Sequence, residues 1–168
     1  MIIFSPARSG EEYTSGTFEE IYERHCTMIY RVCFSYMKNA TDTEDMVSDV
    51  FAKLLETGKT FQNTEHEKAW LLRTAINKCK NFLKHWWRSR TDIDDYENLE
   101  TKNPFTENEL LQTISKLPAR CKDVIILYYY EDCSTAEVAQ ILKRPQSTVR
   151  NHLAEARKLL KGALENEE

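Results

Sequence analysis

Apolar residues recur at steps of three and four along most of the chain, which is the spacing that places side chains on one face of an α-helix. Three such stretches follow Thr17, Thr41 and Thr64, and each predicts an amphipathic helix with one buried face. In the first two helices the predicted core residues are Phe18, Ile21, Tyr22, His25, Met28, Ile29, Val32, Cys33, Tyr36, Met46, Val47, Val50, Phe51, Leu54 and Leu55. The pattern therefore predicts an all-α fold.

The helix starts are marked by capping boxes, in which a Ser or Thr and the Glu three residues later satisfy backbone N–H groups that have no helical partner. The predicted boxes are Thr17/Glu20, Thr41/Glu44, Thr64/Glu67, Thr106/Glu109 and Ser134/Glu137. Each one precedes a run of helical period, so the two signals agree on where helices begin.

An aperiodic acidic segment from Ser89 to Pro104 divides the periodic stretches into two groups. We therefore predict two small helical domains, over residues 17–90 and 109–165, joined by a flexible acidic linker over 91–108. Residues 1–16 form an N-terminal tail in this reading.

The second domain contains the pattern of a helix-turn-helix. A short helix after Ser134 is followed by the turn Lys143-Arg144-Pro145 and by a longer helix that reaches Leu160. The second helix presents near its start the polar and small residues Gln146, Ser147, Arg150, Asn151 and Ala154. Such positions reach base edges in a major groove, where Arg binds guanine and Asn binds adenine. The spacing favours DNA binding over an αα-hairpin used for protein contact.

Composition and charge modify this picture in one respect. The chain of 168 residues is 41% hydrophobic and 30% charged, with four Gly and four Pro, which argues against disorder and against an all-β fold. Its net charge of -4 argues weakly against a nucleic-acid partner, but the charge lies in blocks. Lys68–Arg90 carries a net +7, Asp92–Glu109 a net -6 and Lys143–Lys161 a net +5. The two basic segments are therefore separated by an acidic one.

The third helix carries a polar stripe. Arg73, Asn77, Lys80, Lys84 and Arg88 are separated by four, three, four and four residues. They line about 22 Å of one helix face, which suits a phosphate backbone, although a solvated face would have the same pattern.

Several classes of protein are not expected. The longest purely apolar run, Val124–Tyr130, has seven residues, whereas a membrane-spanning helix needs about 20, so we predict no membrane insertion and a cytoplasmic location. Five cysteines without a Cys-x-x-Cys pair fit a reducing compartment. The histidines are scattered and there is no Gly-rich phosphate loop, so we expect no enzyme activity, no metal site and no cofactor.

Three stretches together resemble a known family: DTEDMVSDVFAKLL, AWLLRTAINKCKNFL and ISKLPARCKDVIILYYYEDCSTAEVAQILKRPQSTVRNHLAEARKLL. In order and spacing they are similar to bacterial sigma factors of the extracytoplasmic-function (ECF) group, from about Phe18 to about Leu164. The resemblance implies a sigma region 2 domain and a sigma region 4 domain with a helix-turn-helix. It implies a non-catalytic transcription initiation factor that binds core RNA polymerase, recognises the minus-thirty-five and minus-ten promoter elements and promotes promoter melting. Such factors are often held inactive by an anti-sigma factor, which no residue here identifies.

The resemblance also implies three sets of contact residues. Core polymerase would bind the polar face of the second helix, formed by Asp42, Asp45, Asp49 and Lys53. The minus-ten element would contact Phe61, Gln62, Asn63, Arg73, Asn77, Lys80, Asn81 and Lys84. The minus-thirty-five element would contact Gln146, Ser147, Thr148, Arg150, Asn151, Ala154 and Glu155.

Three features depart from the family pattern, and one of them is Cys121, at a position where a larger residue is common. Glu155 stands where a basic residue is common, and the turn Glu131-Asp132-Cys133 stands where Gly followed by an apolar residue is usual. The alternative function is a stand-alone helix-turn-helix regulator that binds DNA without polymerase, which leaves the first domain unexplained.

Overall fold

A computed structural model of the chain describes residues 16–89 and 109–165, and within these ranges it is helical with no strand. The first group of helices is α1 (Phe18–Met37), α2 (Ala40–Thr57) and α3 (Thr64–Ser89). The second group is α4 (Glu109–Ser115), α5 (Ala119–Ile125), a π-helical turn (Ile126–Tyr130), α6 (Thr135–Leu142) and α7 (Gln146–Glu165). The predicted all-α fold is confirmed. The predicted linker over 91–108, most of the N-terminal tail and the Thr106/Glu109 cap lie outside the described residues.

Two predicted capping boxes are formed. The Thr17 hydroxyl accepts from the backbone N–H of Glu20 at 3.3 Å, and the Glu20 carboxylate accepts in return from the Thr17 N–H. Ser134 and Glu137 exchange the same pair of bonds at 3.1 and 2.9 Å. These caps are local, so a sequence pattern of four residues was enough to predict them.

The other two predicted boxes are wrong, because asparagines cap those helices. The Asn39 side chain accepts from the N–H of Asp42 at 2.8 Å, so α2 begins before Thr41. The Asn63 side chain accepts from the N–H of His66 at 2.8 Å and occupies the cap of α3. Asn caps a helix N-terminus as well as Ser or Thr does. In both helices the Asn comes before the predicted Thr in the chain and directly precedes the first helical residue.

The first three helices enclose one core. Its fully buried members include Ile29 and Val32 of α1, Val50 of α2 and Leu72 of α3. The sequence pattern wrongly predicted Leu55 as a core residue. Its side chain is 61% exposed, because the turn of α2 that carries it faces solvent rather than α1 or α3.

The inward prediction was also wrong for Tyr22, and Leu110 is another large apolar side chain that stays exposed. Tyr22 of α1 is 41% exposed and packs edge-on against the Phe51 ring, with 4.8 Å between the ring centroids. Leu110 of α4 is 40% exposed at the rim of an apolar groove. Helical period predicts which side chains share a face, but the width of the covered strip depends on the neighbouring helices.

In the second group of helices, α5 is followed directly by the π-helical turn. The N–H of Glu131 donates to the carbonyl of Ile126, five residues back, at 3.2 Å. Tyr129 is 51% exposed, whereas Tyr128 and Tyr130 are half-buried. Asp132 has φ 53°, which is the left-handed conformation that Gly adopts easily and that Asp tolerates better than most residues.

The two helical groups pack against each other. α1 contacts α4, and α3 contacts α6. Part of this contact is polar, and it includes Lys122 of α5, whose ammonium lies 5.2 Å from the centre of the Tyr36 ring of α1. Burial, reinforced by repulsion from Lys38, lowers the pKa of Lys122 to about 8. None of the helices in the described part of the chain has the length and apolar content of a membrane span.

Candidate nucleic-acid and polymerase interfaces

The start of α7 exposes a polar face opposite its buried one. Val149, Leu153 and Ala156 are buried in the hydrophobic core. The face turned away from them exposes Gln146, Ser147, Arg150, Asn151 and Ala154, while Thr148 is half-buried. Side chains of this type at the N-terminal end of a second helix are able to reach base edges.

The turn before α7 fixes how this face is presented. Lys143 adopts φ 54° and ends α6, and its N–H donates to the carbonyl of Ala139. The carbonyl of Pro145 accepts from the N–H of Val149 at 3.1 Å, so Pro145 immediately precedes the helix rather than forming its first residue. Gln146 donates to the Thr135 hydroxyl at 2.8 Å and thereby ties the two helices of the motif together.

Glu155 is held by an arginine rather than extended from the exposed face. Arg120 at the start of α5 donates to both of its carboxylate oxygens, at 3.1 and 2.5 Å. The hydrogen bonds from Arg120 lower the pKa of Glu155, so its carboxylate is ionised and paired. This departure from the family pattern therefore has a local structural partner.

The predicted polar stripe of α3 divides into two parts. Asn77 and Lys84 of the stripe are exposed, as is the neighbouring Asn81, so this part of the helix is open to solvent, while the side chain of Arg88 lies outside the described residues. Arg73 and Lys80 are half-buried under the second helical group. The stripe therefore has an accessible part and a part that other helices cover.

Both covered cations have partners at specific atoms. Arg73 donates to the backbone carbonyls of Gln140 at 2.9 Å and Ile141 at 3.3 Å, which belong to the last turn of α6. Those carbonyls are at the negative end of the helix dipole, where a cation is stabilised. Lys80 lies 2.8 Å from Oδ2 of Asp123, and Arg144 binds the same oxygen at 2.8 Å. Burial raises the pKa of Asp123 to about 6, and Arg144 opposes that shift.

The loop before α3 places its three predicted residues differently. Phe61 is buried, and its ring packs against Trp70 with 5.8 Å between centroids. Asn63 is half-buried and caps α3, as described above. Gln62 alone of the three is exposed, so it is the loop side chain that a ligand could reach in this conformation.

A buried polar cluster fixes the start of α3 to α1. The Glu67 carboxylate is fully buried and lies 2.6 Å from the Arg24 guanidinium and 2.6 Å from Nε2 of His25. Burial lowers the pKa of His25 despite the neighbouring carboxylate. The cluster orients the helix whose exposed face carries Lys84.

The polar face of α2 is accessible. Asp45, Asp49 and Lys53 are exposed, and Asp42 is half-buried. Asp42 also accepts from the Asn39 side chain at 2.9 Å, so it belongs to the cap of its own helix. The remaining three side chains form an open charged face.

The comparisons with known proteins cover both helical groups. A family model described as "Sigma-70 region 2" matches residues 21–89, and one described as "Sigma-70, region 4" matches residues 107–160. The chain is 30% identical to RNA polymerase sigma factor SigV of Bacillus subtilis (strain 168), over 86% of this chain and 89% of the relative. It belongs to the sigma-70 family of RNA polymerase sigma factors.

Further relatives assign the sigma factor to the ECF group. The ECF RNA polymerase sigma factor SigW of B. subtilis is 23% identical over 98% of this chain and 97% of its own length. A similar fold occurs in the structure of the sigma factor RpoE in complex with the anti-sigma factor NepR from Bartonella quintana. That match has a TM-score of 0.68 and 17% identity, and it covers 89% of this chain and 99% of the other. The predicted ECF family and transcription initiation function are confirmed.

Region 2 and region 4 of this sigma factor therefore correspond to the two helical groups. Region 2 comprises α1 to α3, and region 4 comprises α4 to α7. Sigma factors in general are not enzymes, and they bind core RNA polymerase and promoter DNA.

Sequence reasoning missed the charged residues that join the two regions. They are Arg31 and Lys68 of region 2 and Asp123 and Glu131 of region 4, and Arg144 of region 4 is a second partner of Asp123. One signal was available, since Asp123 immediately precedes the apolar run Val124–Tyr130. Its partners could not be inferred, because they lie 21 and 43 residues away in the chain.

Proposed function

We propose that this sigma factor reads the minus-thirty-five element with the exposed face of α7, contacts the minus-ten element with α3 and binds core polymerase through α2. The observation that carries the proposal is the exposed N-terminal face of α7, which lies opposite a buried stripe and directly after the turn of a helix-turn-helix. A docked α7 would place its first two turns in a major groove.

On α7 we assign base reading first to Arg150 and Asn151. Both are exposed, and their side chains form bidentate hydrogen bonds with guanine and adenine, respectively. Ser147 and Ala154 are small and exposed, so they permit a close approach of the bases. Glu155 takes a positioning role in this proposal, because its bond to Arg120 links α7 to α5.

The remaining α7 candidates take supporting roles. Gln146 holds the start of α7 against α6 through Thr135, and Thr148 is half-buried beside it. Both side chains lie next to the proposed readers, and they contribute mainly to the placement of the helix.

On α3 we assign minus-ten contacts to Asn77, Asn81 and Lys84, which are exposed. Gln62 is the candidate in the preceding loop. Phe61, which is buried, and Asn63, which caps α3, hold the loop in place. Extrusion of a base from the duplex costs a few kcal/mol, which contacts of this kind must offset. Arg73 and Lys80 join this set when they are released from region 4.

On α2 we assign polymerase binding to Asp45, Asp49 and Lys53, with Asp42 at the edge of the same face. These side chains are charged and exposed on one face of the helix. Mixed charges on one open helix face suit a protein partner, where complementary charges set orientation and association rate.

We also propose that the chain acts in the cytoplasm, where the bacterial transcription machinery operates. An anti-sigma factor is the proposed regulator, supported by the RpoE–NepR complex, whose sigma subunit shares this fold. A stand-alone regulator has less support, since it gives no role to the region 2 match over residues 21–89.

The function is tested by in vitro transcription with purified chain, bacterial core RNA polymerase and a library of promoter-length DNA. Sequencing the run-off transcripts identifies both promoter elements at once. We expect specific start sites that depend on this chain. DNA binding without any gain of specific transcripts would favour the stand-alone regulator.

The residue assignments are tested by comparing Arg150→Ala with Lys84→Ala. Loss of a bidentate base contact costs about 1–3 kcal/mol at the matching base pair, so Arg150→Ala should relax preference at one upstream position. Lys84→Ala removes a phosphate contact and should weaken many promoters alike while lowering the salt dependence. An equal loss across all upstream sequences on Arg150→Ala would refute its role as a base reader.

A further inference from the structure

A cation from another helix lies beside the exposed face of α7. Arg120 is the second residue of α5, and its side chain is 51% exposed. Its Nε and Nη2 donate to the two carboxylate oxygens of Glu155, at 3.1 and 2.5 Å. The two residues are 35 positions apart in the chain, so the pair is a tertiary contact between α5 and α7.

Glu155 lies at the edge of the exposed face of α7. It comes one turn after Asn151 and directly after Ala154, which are both exposed, whereas the next residue, Ala156, is buried. The major groove is about 12 Å wide, and an α-helix with its side chains is about as broad. The sides of a docked α7 therefore face the sugar-phosphate strands that border the groove. Arg120 is held on one of these sides.

Arg120 is the more accessible of two arginines near this edge. Arg144, in the turn before α7, binds the buried carboxylate of Asp123 at 2.8 Å, and its side chain is 22% exposed. It also donates to the backbone carbonyl of Arg120 at 3.5 Å, so the two arginines are neighbours. The guanidinium of Arg144 is thus bound inside the protein, whereas that of Arg120 remains at the surface.

The bond to Glu155 fixes the direction of the Arg120 guanidinium and leaves part of it available. A guanidinium has five N–H donors in one plane, and two of them bind Glu155. Because the carboxylate already holds the plane, less side-chain freedom is lost when the other donors meet a phosphate. The pairing also neutralises Glu155, whose charge alone would repel DNA at this edge.

We propose that Arg120 is an additional DNA-contacting residue of this sigma factor, which binds a phosphate beside the minus-thirty-five element, and that Glu155 is the residue that positions it. The proposal rests on the docking of α7 in the major groove proposed above. It places one DNA contact of region 4 on α5, outside the helix that reads the bases. Arg binds phosphate with paired hydrogen bonds, and such a contact carries no base preference.

The test compares variants of equal charge. Glu155→Ala and Glu155→Gln both remove the carboxylate, but Gln keeps a carbonyl that accepts from Arg120. Each is made alone and together with Arg120→Ala in the full-length chain, which is then combined with core RNA polymerase. Fluorescence anisotropy measures binding to a labelled promoter duplex selected in the transcription library, at several salt concentrations. Lys116→Ala, which removes an exposed cation between α4 and α5, controls for net charge, and circular dichroism checks folding.

We expect Arg120→Ala to weaken binding about tenfold, and equally for all upstream sequences. The slope of log affinity against log salt should become shallower by about 0.9, as for one lost phosphate contact, whereas Lys116→Ala should leave it unchanged. Glu155→Gln should bind about threefold more tightly than Glu155→Ala, because only the Gln side chain still holds Arg120. This difference should disappear when Arg120→Ala is added.

Four results would overturn the proposal. If Arg120→Ala costs nothing in the Glu155→Ala background, Arg120 only neutralises Glu155 and does not contact DNA. Equal affinities of the Glu155→Ala and Glu155→Gln chains would remove the positioning role. A loss confined to one base pair would indicate a base contact in place of the phosphate contact. An equal change of slope in Lys116→Ala would assign the effect to net charge.

Arg150→Ala separates these failures from that of the proposed function. If Arg150→Ala relaxes the preference at one upstream position while Arg120→Ala has no effect, α7 docks as proposed and the Arg120 contact alone is wrong. If neither substitution changes binding, the docking of α7 is itself wrong.

Discussion

Glu67 offers the most direct test of how region 2 holds α3 in place. Its carboxylate is fully buried in the first turn of α3 and binds Arg24 and His25 of α1, each at 2.6 Å. Replacement by Ala removes both contacts across the helix pair. Replacement by Gln keeps the volume and one carbonyl acceptor, so it is the matched control.

The size of the effect follows from the exposure of the two partners. The Arg24 side chain is 37% exposed, so water can solvate its guanidinium once the carboxylate is gone. His25 is buried, and a polar atom left without a partner there costs about 1–3 kcal/mol. With the lost charged hydrogen bond included, we expect Glu67→Ala to lower the free energy of unfolding by about 2–4 kcal/mol. This loss of stability is near the lower end of the free-energy cost of removing one partner from a fully buried ion pair.

Urea unfolding of the Ala and Gln variants measures this difference, with Arg24→Ala and the double variant completing a cycle. We expect Glu67→Gln to lose about 1 kcal/mol and the Arg24–Glu67 cycle to show a coupling of at least about 0.5 kcal/mol. A loss below about 0.5 kcal/mol for Glu67→Ala would place it among ordinary surface substitutions and refute the reasoning. A coupling of zero would assign the whole effect to His25.

Three further predictions concern other local features. Lys143 ends α6 at φ 54°, so Lys143→Gly should stabilise the chain by about 1 kcal/mol in thermal or urea unfolding, and a loss would contradict the strain argument. Burial raises the pKa of Cys133 to about 12, whereas Cys26 is half-buried, so mass spectrometry should find alkylation at Cys26 long before Cys133. Because burial lowers the pKa of His25, the folded state binds this proton less readily than the unfolded state, and stability should be lost as pH falls below about 6.5. His25→Gln should weaken that dependence, and an identical pH profile in denaturant titrations would contradict it.

Local features of the candidate interfaces were predictable from the sequence. The helix-turn-helix follows from periodicity, from the Ser134/Glu137 cap and from the break at Pro145, all within short segments. The exposure of Arg150 and Asn151 follows as well, because the buried stripe of α7 determines which face remains open. The same reasoning correctly expected the polar side of α2 to be accessible.

Other features could not be predicted from local sequence patterns. Thr64/Glu67 has the spacing of a capping box, yet Glu67 is drawn into the core by Arg24 and His25, and Asn63 caps the helix instead. Leu55 has the period of a core residue, yet it is 61% exposed and none of the described helices covers it. In both cases the outcome depends on where other helices are placed.

The sequence by itself determined the all-α fold, the helix-turn-helix, the two-region organisation and the family, because these depend on spacings of a few residues and on motif order. Only the tertiary structure decided which members of the α3 stripe are accessible. Arg73 and Lys80 look the same as Lys84 in the sequence, but α6 and Asp123 cover the first two and leave the third open. That difference arises from contacts between residues 43 or more positions apart, which no local period encodes.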